Sequence, residues 1–363
     1  MKKSLLNRFF CLSLIASFLV FSGTVFANEK KILLKVPTSF SKSLPGLGTT
    51  IYYVADRVEL ISGGTLKMKV YEPGKLVGAF EILNAVHEGK VNAGYSSPVY
   101  WQGLLPAAPI FTAIPFGPDA NEYLAWIYYG NGWKLWQKMY DQGGYNVHVI
   151  PVGIISPETS GWFAKEINSP DDLKGLRMRF SGLGGKVMQK LGVSVSTLPG
   201  GEIFPALEKG AIDATEFAMP AIDERLGFYK VVKYNYYPGW HQQATLYELL
   251  INKDTWNQMS KRQQMVLEVL SKASITDSLA YCEAIQGKVI RENETKRGVK
   301  NRYWSKEMLA TFKNAWDEVV AEQCEKDKFF KEVWEDFQRF HEDYGYWSSR
   351  GFLPRPKLSD SNP

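Results

Sequence analysis

The sequence predicts a two-lobed α/β protein ending in a helical section. Short apolar runs alternate with stretches of helical period, and this alternation begins twice, near Lys31 and again near Tyr145. A chain of 363 residues also exceeds what a single core usually organises. From Lys253 onward the pattern becomes charged and helical, with apolar residues three or four apart.

The first residues bear on location. Lys2, Lys3 and Arg8 precede an apolar run over residues 9–20, and Val25-Phe26-Ala27 offers a cleavage point, so residues 1–27 read as a secretory signal peptide. The run is short for a membrane-spanning helix, and Cys11 lies too early in it for a lipoprotein cleavage box. Removing residues 1–27 takes away three basic and no acidic side chains, which leaves 336 residues and lowers the formal charge from +5 to +2. That near-neutral balance offers no basic face to nucleic acid. Cys282 and Cys324 remain; they can pair in an oxidising compartment, or stay as two partly buried thiols.

In chain order, residues 31–36 form a short strand and 37–43 a polar turn, followed by a helix over 48–61, a strand over 65–71 and a helix over 80–88 stopped at Gly89. With a third strand at 91–95, lobe 1 (residues 28–150) is expected to hold a mostly parallel sheet covered on both faces. Ligands of such sheets sit beyond the carboxyl ends of the strands, so the loops 37–43 and 96–101 are candidate pocket walls. A helix near 121–142 closes this part. Lobe 2 (residues 151–252, with segments crossing to lobe 1) takes up a strand begun at 145–152, a strand at 161–164 and a turn opened by Ser169-Pro170-Asp171-Asp172-Leu173. A buried strand at 177–180, helices at 184–191 and 202–209, and a strand at 211–216 complete it. Residues 253–363 form the helical section, with helices over 260–290 and 305–344.

The chemistry-bearing pattern is a pair of charged strand ends. Leu176-Arg177-Met178-Arg179-Phe180-Ser181-Gly182 brings a guanidinium to the end of one apolar run, and Ile212-Asp213-Ala214-Thr215-Glu216-Phe217 brings a carboxylate to the end of another. A guanidinium is planar, bidentate and always charged, which suits an anion that is held and released intact. Only one of Arg177 and Arg179 is expected to enter a cleft. Ser181-Gly182-Leu183-Gly184-Gly185-Lys186 fails as a phosphate loop, because Val187 replaces the Ser or Thr that would hold magnesium. His87, His148, His241 and His341 include no pair at zinc-ligand spacing, and there is no Gly-x-Ser-x-Gly elbow. Binding is therefore favoured over catalysis.

Leu176–Leu191, Gly200–Glu216, Glu224–Phe228 and Tyr236-Tyr237-Pro238-Gly239-Trp240 resemble the solute-binding subunits of tripartite ATP-independent periplasmic (TRAP) transporters. The likeness runs from about Leu33 to Tyr346 and is greatest for the branch that binds 2-oxo or 2-hydroxy monocarboxylates together with a metal ion. It implies a periplasmic-binding-protein fold, a periplasmic location, a small organic acid as ligand and membrane permease subunits as partners. Arg179 matches the family arginine that pairs with the ligand carboxylate, whereas Arg177 matches a position that is merely basic. The cation ligands implied are Glu158, Glu216, the carbonyl of Phe217, and Gln242; the family commonly has Gln at the first of these positions and Glu at the last. Arg179, two glutamates and a ligand carboxylate sum to −2, which leans towards calcium over sodium. Gly153-Ile154-Ile155-Ser156-Pro157 replaces a Gly-Asn-Thr-Gly segment common in relatives, so Ile154 cannot donate a side-chain hydrogen bond and a more apolar acid than pyruvate or lactate is expected.

Among the aromatics, Trp162 is expected in the core, Phe217 and Trp240 on the cleft wall, and Tyr100 within the second candidate loop. The stripe Phe329, Phe330, Val333, Trp334, Phe337 and Phe340 is bulky enough to pack on the lobes or to join a homodimer. Two other classes stay open: a sensory binding protein with the same cleft, and a periplasmic enzyme on 2-oxo acids using Glu158 or His241 as base.

Overall fold

A computed structural model describes residues 29–353; the expected signal peptide lies outside them. The chain opens with β1 (Ile32–Pro37), α1 (Thr49–Ile61), β2 (Leu66–Tyr71), α2 (Ile82–His87) and β3 (Ala93–Ser96), close to the expected order. The helix expected near 121–142 is two, α3 (Ala120–Tyr129) and α4 (Gly132–Gln142), because Gly130 turns extended after closing on the Ala125 and Trp126 carbonyls. Next come β4 (Val147–Ile155), β5 (Gly161–Phe163), β6 (Arg177–Arg179), α5 (Gly182–Lys190), β7 (Ser194–Ser196), α6 (Gly200–Glu208) and β8 (Ala214–Thr215). The rest comprises α7 (Pro220–Leu226), β9 (Tyr234–Tyr237), β10 (Thr245–Asn252), α8 (Lys253–Gln258), α9 (Lys261–Arg297), β11 (Lys300–Tyr303), α10 (Lys306–Lys326) and α11 (Lys328–Gly351).

Two α/β lobes result. In the first, β1 and β2 pair in parallel, as expected. β3 departs from the expectation of a mostly parallel sheet: it joins an antiparallel sheet of order β3-β10-β4, tied to β1 by a parallel bridge from Thr38 to Tyr95. The second lobe is a six-stranded sheet of order β11-β9-β5-β8-β6-β7, in which β5 runs against both neighbours. β10 returns from the second half of the chain to pair between β3 and β4, so the lobes are not two sequential blocks.

β10 also buries a carboxyl group. Every residue of Thr245-Leu-Tyr-Glu-Leu-Leu-Ile-Asn252 is buried, and Glu248 at its centre would be unstable there without partners. Trp101 Nε1 donates to Oε1 at 2.7 Å, Trp136 Nε1 to Oε2 at 3.1 Å, and the Tyr140 hydroxyl lies 2.8 Å from both oxygens. Burial pushes the Glu248 carboxyl up to about 8, with the three donors opposing that push. From pH ~4.5 to ~8 the folded state holds a proton that the unfolded chain has released, so stability should fall with rising pH by up to about 1.4 kcal/mol per unit. Urea denaturation at pH 5 and pH 8 should show the wild type losing more stability than Glu248→Gln; equal losses would mean the donors keep Glu248 ionised throughout.

The helical section braces both lobes. α9 crosses β4, α1 and α7 and runs past the expected end at 290 until Gly298, at φ +68°, stops it. α10 lies on α5, and α11 on α3, α4 and α10. The single helix expected over 305–344 breaks at Asp327, whose extended backbone caps the next helix through Oδ1, 2.6 Å from the Phe330 amide. Phe330, Val333 and Phe337 are buried within the chain itself. Exposed aromatics follow at the end of this helix, at Tyr346 and Trp347, and just after it at Phe352. Cys282 is buried, Cys324 half-buried, and both are unpaired.

Candidate ligand and cation site

A cavity of about 30 Å³ lies between the lobes. From the first lobe come Phe40, Leu47, Ser97, Val99 and Tyr100, so both loops expected as pocket walls contribute. From the second come Arg179, Ser181, Glu216 and Phe217; Glu158 follows β4, and Gln242, Thr245 and Tyr247 surround the start of β10.

The two arginines are separated as expected, but not by alternation, since residues two apart on a strand share a face; Arg177 lies at the exposed start of β6 and Arg179 at its buried end. Arg177 points outward and forms a bidentate pair with Asp213, Nε to Oδ2 at 2.9 Å and Nη2 to Oδ1 at 2.6 Å. Arg179 is 2 % exposed. Its Nη1 donates to the Glu216 carbonyl and to Glu216 Oε1, both at 2.8 Å, and its Nε to the Leu198 carbonyl at 3.1 Å. Three fixed acceptors orient the guanidinium, and Nη2 forms no hydrogen bond among the described residues. Glu216 Oε1 also accepts from the Ser181 amide at 2.8 Å, at the turn where Gly182, at φ +70°, starts α5. The Ser181 hydroxyl is buried, lines the cavity and has no partner.

Glu158 sits opposite. Thr245 Oγ1 donates to its Oε1 at 2.8 Å. The end of the Gln242 side chain lies 2.6 and 2.7 Å from the two Glu158 oxygens. With its nitrogen there, Gln242 donates to both; with its oxygen there, three acceptors crowd together and need a proton or a cation between them. Gly239 lets these segments meet, since a Cβ at that position would fall 2.1 Å from the Glu158 carbonyl. His241, 1 % exposed, faces both acids, with Nε2 3.6 Å from Glu158 Oε2 and 3.8 Å from Glu216 Oε2.

The charges are strongly coupled. Burial, reinforced by the Glu216 charge, pushes Glu158 up to about 7. Burial raises Glu216 too, yet the Arg179 guanidinium overcomes this and holds it below the usual carboxylate range. Burial alone would depress His241; the two carboxylates lift it to about 9. At their separations from Nε2 this pull is that of charge, with no hydrogen bond formed. Oxygens of Glu158, Glu216 and Gln242 converge in the pocket as a cation site requires.

Most of the expected site residues meet here: Arg179, Glu158, Glu216, Phe217, Gln242 and Tyr100 all line the cavity, with the Phe217 ring 5.1 Å from the Arg179 guanidinium. Trp240 is corrected from cleft wall to support. Its ring stacks on Phe312 at 4.7 Å and Phe116 at 5.5 Å, and its carbonyl accepts from the Phe116 amide at 2.7 Å. Phe116 adopts φ 52°, a costly conformation for a bulky residue, so this contact is held by its surroundings. Trp162 is core as expected, donating to buried Asp223 at 2.8 Å. Ile154 faces the core and not the cavity; the apolar walls are Phe40, Leu47, Val99 and Tyr247. Thr245 and Tyr247 were not anticipated, because β10 carries a central Glu and does not read as a strand. Leu47 and Thr112 come from irregular segments with no periodic signal.

The family model for bacterial extracellular solute-binding proteins, family 7 (DctP), matches residues 42–327. The chain belongs to the DctP family. This DctP-family chain is 35 % identical over 343 residues to the monocarboxylate 2-oxoacid-binding periplasmic protein of Nostoc sp., covering 94 % of this chain and 93 % of the relative. A TRAP transporter solute-binding protein from Bordetella bronchiseptica superposes with a TM-score of 0.86 at 31 % identity, covering 89 % of this chain and 95 % of that one. It is a mixed-occupancy dimer with calcium and picolinate in one site and the other site apo. A TRAP solute-binding protein from Pseudoalteromonas atlantica, with bound sodium and pyruvate, gives a TM-score of 0.85 at 31 % identity, covering 89 % and 97 %. Among the described residues no helix is long and apolar enough to cross a membrane.

Proposed function

We propose that this protein captures a small 2-oxo or 2-hydroxy monocarboxylate together with a metal ion in the periplasm and hands it to a TRAP-type permease. The observation that carries the reading is a buried arginine, held by Glu216 and Leu198, facing a second buried acid across a cavity with room for only a few heavy atoms. Arg179, Ser181 and Tyr100 take the acid, while Glu158, Glu216, the Phe217 carbonyl and Gln242 take the ion. The ion offsets the acid charge and is calcium or sodium, as in the relatives with bound picolinate or pyruvate. The lobe boundaries we propose are residues 28–150 and 151–252, with β10 crossing between them and residues 253–363 bracing both. Closure of the lobes excludes water, which strengthens each charge–charge contact, and reopening releases the acid unchanged.

Thermal-shift and calorimetric titration of the mature protein with pyruvate, lactate and longer 2-oxo acids tests this. Stabilisation should rise with the logarithm of acid concentration and depend on the cation. Absence of any shift with every acid, or turnover of a 2-oxo acid to product, would reject it. Homodimerisation is expected to use the exposed end of α11 around Tyr346, Trp347 and Phe352, since the stripe before it is buried in its own chain. Sedimentation should show a dimer that Trp347→Asp weakens; a strict monomer at tens of micromolar would remove the idea.

A further inference from the structure

We propose that Leu47 sets the length of acid this cleft accepts, so that the lobes close on chains of pyruvate or lactate size and are held apart by branched ones. The inference rests on the capture reading above and concerns the part of the acid that the charged groups do not touch. Arg179, Ser181 and Glu216, on the second lobe, draw the carboxylate and the ion to one side of the cavity. Phe217 lies against the Arg179 guanidinium there. The hydrocarbon end must therefore turn to the remaining apolar lining, which is Phe40, Leu47 and Val99 from the first lobe with Tyr247 beside them. Head and tail of the acid thus meet opposite lobes. An over-long tail does more than lose contacts, because it stands between two surfaces that have to approach.

Among these walls Leu47 presents the largest aliphatic group, and its backbone cannot retreat. It is 1 % exposed and sits on the turn before α1. Its carbonyl accepts from the Tyr95 hydroxyl at 2.7 Å, the Gly46 amide donates to Thr49 Oγ1 at 2.9 Å, and Thr50 Oγ1 donates to the Gly46 carbonyl. Behind the turn runs α9, so close that a Cβ on Gly46 would fall 2.1 Å from Cys282 Sγ. The other walls are fixed as well. Phe40 meets Tyr247 edge to face at 5.3 Å and Tyr95 at 5.8 Å, while Val99 is β-branched and its amide is held by Thr112 Oγ1 at 3.0 Å. With a cavity of only about 30 Å³, the space for a chain ends where the Leu47 side chain begins. Ile154, on which the expectation of a more apolar acid rested, does not line the cavity and so gives no reason for a longer chain.

The test is calorimetric titration of the calcium-loaded mature protein with pyruvate, 2-oxobutyrate and the 2-oxo acid of leucine, with small-angle scattering to follow closure. Leu47→Ala removes an isopropyl group, and the 2-oxo acid of leucine is pyruvate with that same group added to its methyl. One methylene too many or too few in a closed apolar pocket changes binding by roughly 10–200-fold. The wild type should therefore bind pyruvate at least about tenfold more tightly than the leucine-derived acid and should become compact with pyruvate alone. Leu47→Ala should invert both results. Leu47→Val, a smaller excision that protects the test against misfolding, should move the preference to 2-oxobutyrate, and the volume-conserving Leu47→Met should keep the wild-type order. The inference is overturned if the wild type binds or closes on both acids equally, or if the Ala and Val variants, shown by circular dichroism to be folded, keep the wild-type ranking. Arg179→Met separates the two levels: pyruvate binding that depends on Arg179 with a ranking indifferent to Leu47 would sink this inference alone, whereas binding indifferent to Arg179 would sink the reading beneath it.

Discussion

Arg179→Met should bind pyruvate at least about a hundredfold more weakly than the wild type. The free Nη2 of Arg179 can give the acid up to two charge-assisted hydrogen bonds, each worth roughly 1.5–3 kcal/mol, and about 1.4 kcal/mol corresponds to a factor of ten in affinity. The substitution also strips Glu216 of its partner, and a buried carboxylate left alone destabilises the fold by about 3–5 kcal/mol. Circular dichroism and the melting temperature must therefore be measured beside the titration. Arg179→Lys separates the two effects, because a lysine keeps the charge near Glu216 but cannot reproduce the fork that reaches Leu198, Glu216 and the ligand at once. We expect Lys to restore most of the stability and only part of the affinity. A folded Met variant with native affinity for every small acid would end the anion-clamp account.

Removal of the cation should have the second largest effect. Glu158 and Glu216 face each other's charge in a buried pocket, and the incoming acid adds a third negative group. Without an ion the pocket has only Arg179 and the His241 ring to balance these charges, so chelation should reduce pyruvate affinity by roughly two powers of ten. Binding linkage is reciprocal: saturating pyruvate should tighten the cation by the same factor. Calorimetry of each ligand with and without the other measures both arms. Glu216→Gln should abolish the coupling and also loosen Arg179, whereas Glu158→Gln should abolish the coupling with little effect on Arg179, which it does not touch. Equal acid affinity in chelated and metal-loaded protein would show that the ion is not part of the clamp.

Position along β6, and not strand period, separates the two arginines: residues two apart share a face, yet the burial pattern is exposed then buried then buried, with Arg177 at the exposed start and Arg179 at the cleft end. Pocket-wall loops followed from the carboxyl ends of strands, and Phe40 and Val99 lie within them. Breaks such as Gly130 and Asp327 are visible as residues, yet helical periodicity continues across them, so two pairs of helices read as two single ones. β10 was hidden for the opposite reason: a central Glu contradicts a buried strand until Trp101, Trp136 and Tyr140, from distant segments, are seen to satisfy it.

Local pattern by itself determined the α/β class, the helical end, and the identity of Arg179 and Glu216 as the charged strand ends, because side-chain period and residue chemistry are properties of neighbours in the chain. Only the tertiary structure decided that β10 would cross between β3 and β4, that Trp240 would stand behind the site, and that His241 would lie between the carboxylates of Glu158 and Glu216, both more than twenty residues away in sequence. These depend on contacts whose cost and gain are set by burial in a shared core, and no spacing along the chain records them.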